Sequence, residues 1–141
     1  MRSSLVALVC ALVLAPATAA ARKPLPGFRS PSGNISCFLV NVLRCDIAHS
    51  DYAQVLQARC MAGPSVDWHG FELRASGKGA VSCSGGILYD PDTERPSYVT
   101  LAYGRTWRHG AFTCSSRIGG VTCTNRGGHG LFLSRQSWRV W

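Results

Sequence analysis

Lysine and carboxylate are what this chain has least of: Lys23 and Lys78 stand beside 13 arginines, and only seven of 141 residues are Asp or Glu. The formal net charge is +8 with histidine neutral, which favours contact with nucleic acid, acidic glycan or phospholipid headgroups. The same balance occurs in exported proteins with no anionic ligand, so charge alone does not choose between these readings. No two cysteines stand a few residues apart, which excludes the usual paired-ligand zinc site. No G-x-S-x-G is present, which excludes the hydrolase nucleophile elbow. Asp90-Pro91-Asp92-Thr93-Glu94 alternates its carboxylates but lacks the glycine turn and distal glutamate of a calcium loop, so it reads as a solvated turn. No motif calls for a metal or another cofactor.

Long apolar runs are also missing. The longest, Leu5 to Leu14, falls well short of the ~20 residues a membrane helix needs. With Arg2 before it and Ala17-Thr18-Ala19-Ala20-Ala21 after it, it has the layout of a secretory signal peptide over 1–21. Cys10 follows Val9 rather than a small residue, so no lipid anchor is read. Cleavage leaves roughly 120 residues, the size of one domain. Residues 22–27 then form a Pro/Gly leader and 28–141 a single secreted, extracellular domain.

Cleavage also leaves an even set of cysteines: Cys37, Cys45, Cys60, Cys83, Cys114 and Cys123. In an exported chain that implies a disulfide framework. The stretch Ile35 to Ile47 alternates apolar and polar residues, as two half-buried strands do. A turn centred on Asn41 pairs Leu39 with Leu43, Cys37 with Cys45 and Ile35 with Ile47, all on one face, with the cysteines in reach of a cross-strand bond. Near the other end, a loop of Arg117-Ile118-Gly119-Gly120 sets Ser116 opposite Val121 and Cys114 opposite Cys123. The outer face there carries Thr113, Ser115, Thr122 and Thr124, a polar set that favours strands. Cys60 and Cys83 pair by elimination.

A short Gly-x-branched-hydroxyl-Cys echo at Gly33, Gly79 and Gly119 marks three strands leaving glycine turns. Further strands are expected near Phe71 to Ala75, Ala80 to Ser84, Tyr98 to Tyr103 and Gly130 to Ser134. One short helix is expected over 51–59, with Ser50 as N-cap and Tyr52, Val55 and Leu56 on one side. The sum is an all-β fold, a small antiparallel sandwich or barrel-like domain stapled by three disulfides.

The segments "FRSPSGNISC" (Phe28 to Cys37), "RCDI" (Arg44 to Ile47), "LAYG" (Leu101 to Gly104), "FTCSSRIGGVTCTN" (Phe112 to Asn125) and "GGHGLFLSRQSW" (Gly127 to Trp138) together resemble a family of small secreted actinobacterial proteins catalogued as a domain of unknown function. The resemblance spans nearly the whole mature chain in order. It implies an exported, disulfide-containing domain and supplies no activity, cofactor or catalytic residue. One departure is Asp67-Trp68-His69-Gly70, where the family pattern leads one to expect Asp-Trp-Gly.

Candidate sites come in two kinds. A ribonuclease-like hydrolase needs two groups for acid and base duty, and the parts available are His49, His69, His109, His129, Glu72 and Glu94. On a strand, His69 and Glu72 point to opposite faces, which spoils that pair. In Gly127-Gly128-His129-Gly130, His129 is either exposed beside anion-binding amides or carried by a plain turn; the turn is favoured. A binding surface is offered by Trp107, Arg108 and His109, and by His129, Arg135, Trp138 and Arg139, since aromatics stack on rings while guanidinium groups meet phosphate or carboxylate. The competing reading is packing at sheet edges. The expected function is a non-catalytic binding module with a basic surface whose partner is an anionic surface, a glycan or another protein. The alternatives are a small hydrolase of a polyanion with His109 or His129 as proton carrier, and an inhibitor or protein-interaction domain.

Overall fold

A computed structural model describes residues 26–63, 67–83 and 98–141. The expected signal peptide, most of the leader, the acidic turn with Glu94 and the side chain of His69 lie outside the described residues. Eleven strands and one helix follow in chain order: β1 (Gly27–Arg29), β2 (Ile35–Leu39), β3 (Leu43–Ile47), α1 (Ala53–Met61), β4 (Trp68–Leu73), β5 (Ala80–Cys83), β6 (Val99–Thr100), β7 (Thr106–His109), β8 (Phe112–Arg117), β9 (Gly120–Asn125), β10 (Gly130–Leu133) and β11 (Trp138–Val140). They form a six-stranded sheet ordered β5-β4-β3-β2-β1-β6 and a five-stranded meander ordered β11-β10-β9-β8-β7. Pairing is antiparallel throughout except between β1 and β6, which run parallel.

Both cysteine hairpins have the expected register. Leu39, Cys37 and Ile35 oppose Leu43, Cys45 and Ile47, and Cys114 and Ser116 oppose Cys123 and Val121. Cα separations of 4.1 and 4.0 Å across the two disulfides match the close, non-hydrogen-bonded type of antiparallel pair. The second turn is tighter than expected, because Arg117 and Gly120 still pair and only Ile118 and Gly119 turn the chain. Burial alternates along β8 and β9, with Phe112, Cys114, Val121 and Cys123 inside.

The inward faces of the two sheets meet in one core built from Phe28, Leu43, Phe71, Leu73, Leu131 and Leu133 around the cysteines. The Sγ atoms of Cys37, Cys45 and Cys123 lie within 4.8 Å of one another, so one disulfide from each sheet meets the other at the centre. As disulfides these sulfurs offer no thiolate to a metal ion. The third bond, Cys60–Cys83, ties α1 to the edge strand β5.

The helix begins and ends two residues later than expected. Tyr52 occupies the N-cap position with no side-chain cap bond, so Ser50 does not cap it. Its buried side is Tyr52, Leu56 and Cys60, spaced at i, i+4 and i+8, whereas Val55 is 70% exposed. Including Val55 in the inward stripe was wrong, since the stripe follows Tyr52 and the disulfide. In β4 the register shifts between Trp68 and Phe71. Gly70 has φ +106° there, and a Cβ on it would strike the Cys45 carbonyl and Asp46, so glycine suits the irregular position.

Candidate functional site

In a meander, every second turn falls at the same end of the sheet. The β8–β9 turn and the β10–β11 turn therefore project together, beside the β1–β2 turn and the segment after β3. Between them lies a cleft of about 350 Å³ whose lining includes Asn34, His49, Tyr103, Arg117, Arg135 and Gln136. Its floor is Ile35 and Val121, which belong to the core.

The hydroxyl and amide groups around this cleft divide into spent and unspent. Ser30 Oγ accepts from the Ile35 amide at 3.1 Å, closing the β1–β2 turn. Asn34 accepts from the His49 amide at 2.8 Å and donates to the His49 carbonyl at 3.0 Å, continuing the β2–β3 ladder through a side chain. Ser134 Oγ accepts from the Ser137 amide at 3.0 Å and shapes the β10–β11 turn. Tyr52, packed on Trp68, Phe71 and Trp138, donates its hydroxyl to the Ser134 carbonyl at 3.0 Å. Burial pushes the pKa of that phenol up to about 12, because the neutral donor suits an apolar setting better than a phenolate.

Left over are the Arg117 guanidinium, the His49 imidazole, the Gln136 amide and Tyr103, 46% exposed. Arg135 stands 3.6 Å from Asp51 at the rim, an exposed pair that is worth little and leaves most of its N–H groups available. No carboxylate is among the lining residues. The cleft therefore presents two guanidinium groups from successive same-end turns, one of them with Asp51 beside it at the rim.

The opposite end is closed. Asn125, buried at the end of β9, accepts from the Gly127 and His129 amides at 3.0 and 3.2 Å. It donates to the Arg74 and Gly77 carbonyls at 3.0 and 2.9 Å. One carboxamide thus shapes the β9–β10 turn and clasps it to the β4–β5 turn of the other sheet. The amides that an anion beside His129 would need are already taken, and the turn reading holds for this segment.

The residues expected to form a binding surface are not gathered. Trp107 and Trp138 lie on the two edge strands β7 and β11, four strand spacings apart, roughly 19 Å at the usual interval. Trp107 packs on Phe28 with centroids 5.3 Å apart, and His109 stacks on it at 5.8 Å. Trp138 packs on Phe71 at 5.4 Å. Arg139 sits over the Trp141 ring at 4.8 Å; Arg108, its counterpart on β7, is exposed. Among the described residues His109 and His129 make no hydrogen bond to each other or to a carboxylate. Glu72 lies opposite Arg44 and Ala80, on the outer face and away from the cleft. Of the expected set, Arg135 alone lines the cleft. Arg117, His49, Tyr103 and Gln136 were not singled out as a surface, although the parity of turns in a meander was the signal that would have joined Arg117 to Arg135.

A model of a family of unknown function, DUF6636, matches residues 7–140. The chain belongs to that family. No curated protein and no solved structure matches it. For this DUF6636 member the cleft and the clasp are the features from which a function has to be argued. Among the described residues no helix is long and apolar enough to cross a membrane.

Proposed function

We propose that this chain is exported through cleavage of residues 1–21 and acts outside the cytoplasm as a single-domain, non-catalytic binding module for an anionic partner. The observation that carries the reading is the cleft itself, where Arg117 and Arg135 face one space with no carboxylate among the described residues of its lining. Arginine suits this use because its planar, weakly hydrated fork meets oxyanions two bonds at a time. Support for export comes from the signal-like layout of the leader and from six cysteines joined in three bonds, which persist in oxidising compartments.

The test uses purified, oxidised protein. Retention on immobilised heparin at about 0.15 M salt, falling as salt rises towards about 1 M and lost in Arg117→Ala, supports binding through the cleft. Cleavage of RNA in the presence of chelator, abolished by His109→Ala or His129→Ala, would overturn the non-catalytic reading in favour of a polyanion hydrolase.

A further inference from the structure

We infer that the cleft takes a saccharide-sized ring carrying a tetrahedral oxyanion ester, a sulfate or a phosphate. This rests on the binding-module reading and narrows its ligand. Three observations support it. First, the volume of about 350 Å³ lies near the lower end of small-ligand sites, enough for one ring and its substituent. Second, the unspent groups differ in kind around the cleft. Arg117 and Arg135 come from two neighbouring turns, while His49, Gln136 and the Tyr103 hydroxyl offer further hydrogen bonds of the sort sugar hydroxyls accept and donate. Third, Tyr103 at 46% and Ile118 at 87% exposure leave an apolar flank on which a ring can lie.

A bare inorganic ion would use the cations and leave that flank wet. An uncharged sugar would use the flank and leave the Arg117 guanidinium without an anion and Arg135 with only the exposed Asp51. Single-stranded nucleic acid calls for successive aromatic platforms, and among the described lining residues Tyr103 is the one Phe, Tyr or Trp. The frame beneath is already built, since Ser30, Asn34 and Ser134 hold their turns without help from a ligand. Binding therefore requires little reordering of the backbone.

The experiment is a titration of the intact, oxidised protein with glucose 6-phosphate, glucose 6-sulfate, inorganic phosphate, inorganic sulfate and glucose, read from the amide NMR shifts of Ile118, Gly119 and Gly120. Each ester is expected to bind at least tenfold more tightly than its inorganic ion and than glucose. Arg117→Ala should weaken the esters and the ions alike by at least tenfold. Tyr103→Ala should remove the ester's advantage and leave the ions unchanged. Esters no tighter than ions, or an ester affinity indifferent to Tyr103→Ala, would overturn this inference while heparin retention through Arg117 still supported the broader reading. If Arg117→Ala changed neither heparin retention nor the shifts, both would fall. The relative strength of phosphate and sulfate esters identifies which source of oxyanion the cleft prefers.

Discussion

The two ends of the sandwich are built from the same side-chain chemistry and do opposite things with it. At the β4–β5 and β9–β10 end, a single carboxamide, Asn125, is fully engaged in four hydrogen bonds and pins two sheets together. At the other end, Ser30, Asn34 and Ser134 are spent on their own turns, and of the cations beside them Arg135 meets only the exposed Asp51. A closed end makes a fold, and an open end makes a surface. Between the ends lie two disulfides in contact at the core, so stability and presentation depend on the same sulfur atoms.

The comparison breaks most completely on reduction. In the chain-entropy model the three loops, closed at sequence separations of 8, 23 and 9, contribute about 9 kcal/mol together as an upper figure, comparable with the whole stability of a small domain. Full reduction by a thiol should abolish near-ultraviolet circular dichroism and the cleft together; a reduced protein that kept its native spectrum would place the stability elsewhere. Next comes Asn125→Ala, which removes the partner of two part-buried amides and two carbonyls. It should cost about 3 kcal/mol in denaturant unfolding while leaving ligand affinity per folded molecule unchanged, because the clasp is at the far end from the cleft.

The third prediction concerns Tyr52, whose folded pKa of about 12 lies above the ordinary value of 10. The folded state holds the phenolic proton where the unfolded chain has lost it. The stabilisation is therefore complete below pH 10 and is lost as pH rises from 10 towards 12. Unfolding measured across that window should show roughly 2 kcal/mol of loss attributable to Tyr52, and Tyr52→Phe should flatten it. An identical pH profile in the variant would mean that the hydroxyl is not held as described. Smaller still is Ser116→Ala. This core-facing hydroxyl has no hydrogen-bond partner, so its removal should leave stability unchanged or raise it by up to about 1 kcal/mol.

Much of the fold was legible because its signals are local. Alternation, glycine turns and cysteine spacing put Cys37 opposite Cys45 and Cys114 opposite Cys123, and elimination gave the third bond. Short strands were harder: β1, β7 and β11 carry three or four residues each, too few for a period to show. Trp107 and Trp138 were correctly marked as aromatics beside arginine, and sequence order could not tell that they sit on opposite edges. The cleft was hidden for a related reason. Its cations, Arg117 and Arg135, are 18 positions apart in the chain and meet only because a meander returns to the same end after two strands. Val55 was misplaced because a helix of nine residues has too few turns for its inward stripe to be read without knowing that Cys60 is anchored.

The claim that the open end, rather than diffuse positive charge, makes the surface is tested most directly by two double variants that remove equal charge. Arg117→Ala with Arg135→Ala empties the cleft; Arg108→Ala with Arg139→Ala strips the two edge strands. Each should change stability by no more than about 0.5 kcal/mol per exposed site. Affinity for a sulfated glycan, measured calorimetrically at fixed salt, should drop at least tenfold in the cleft variant and less than threefold in the edge variant. Equal losses in the two would contradict the account.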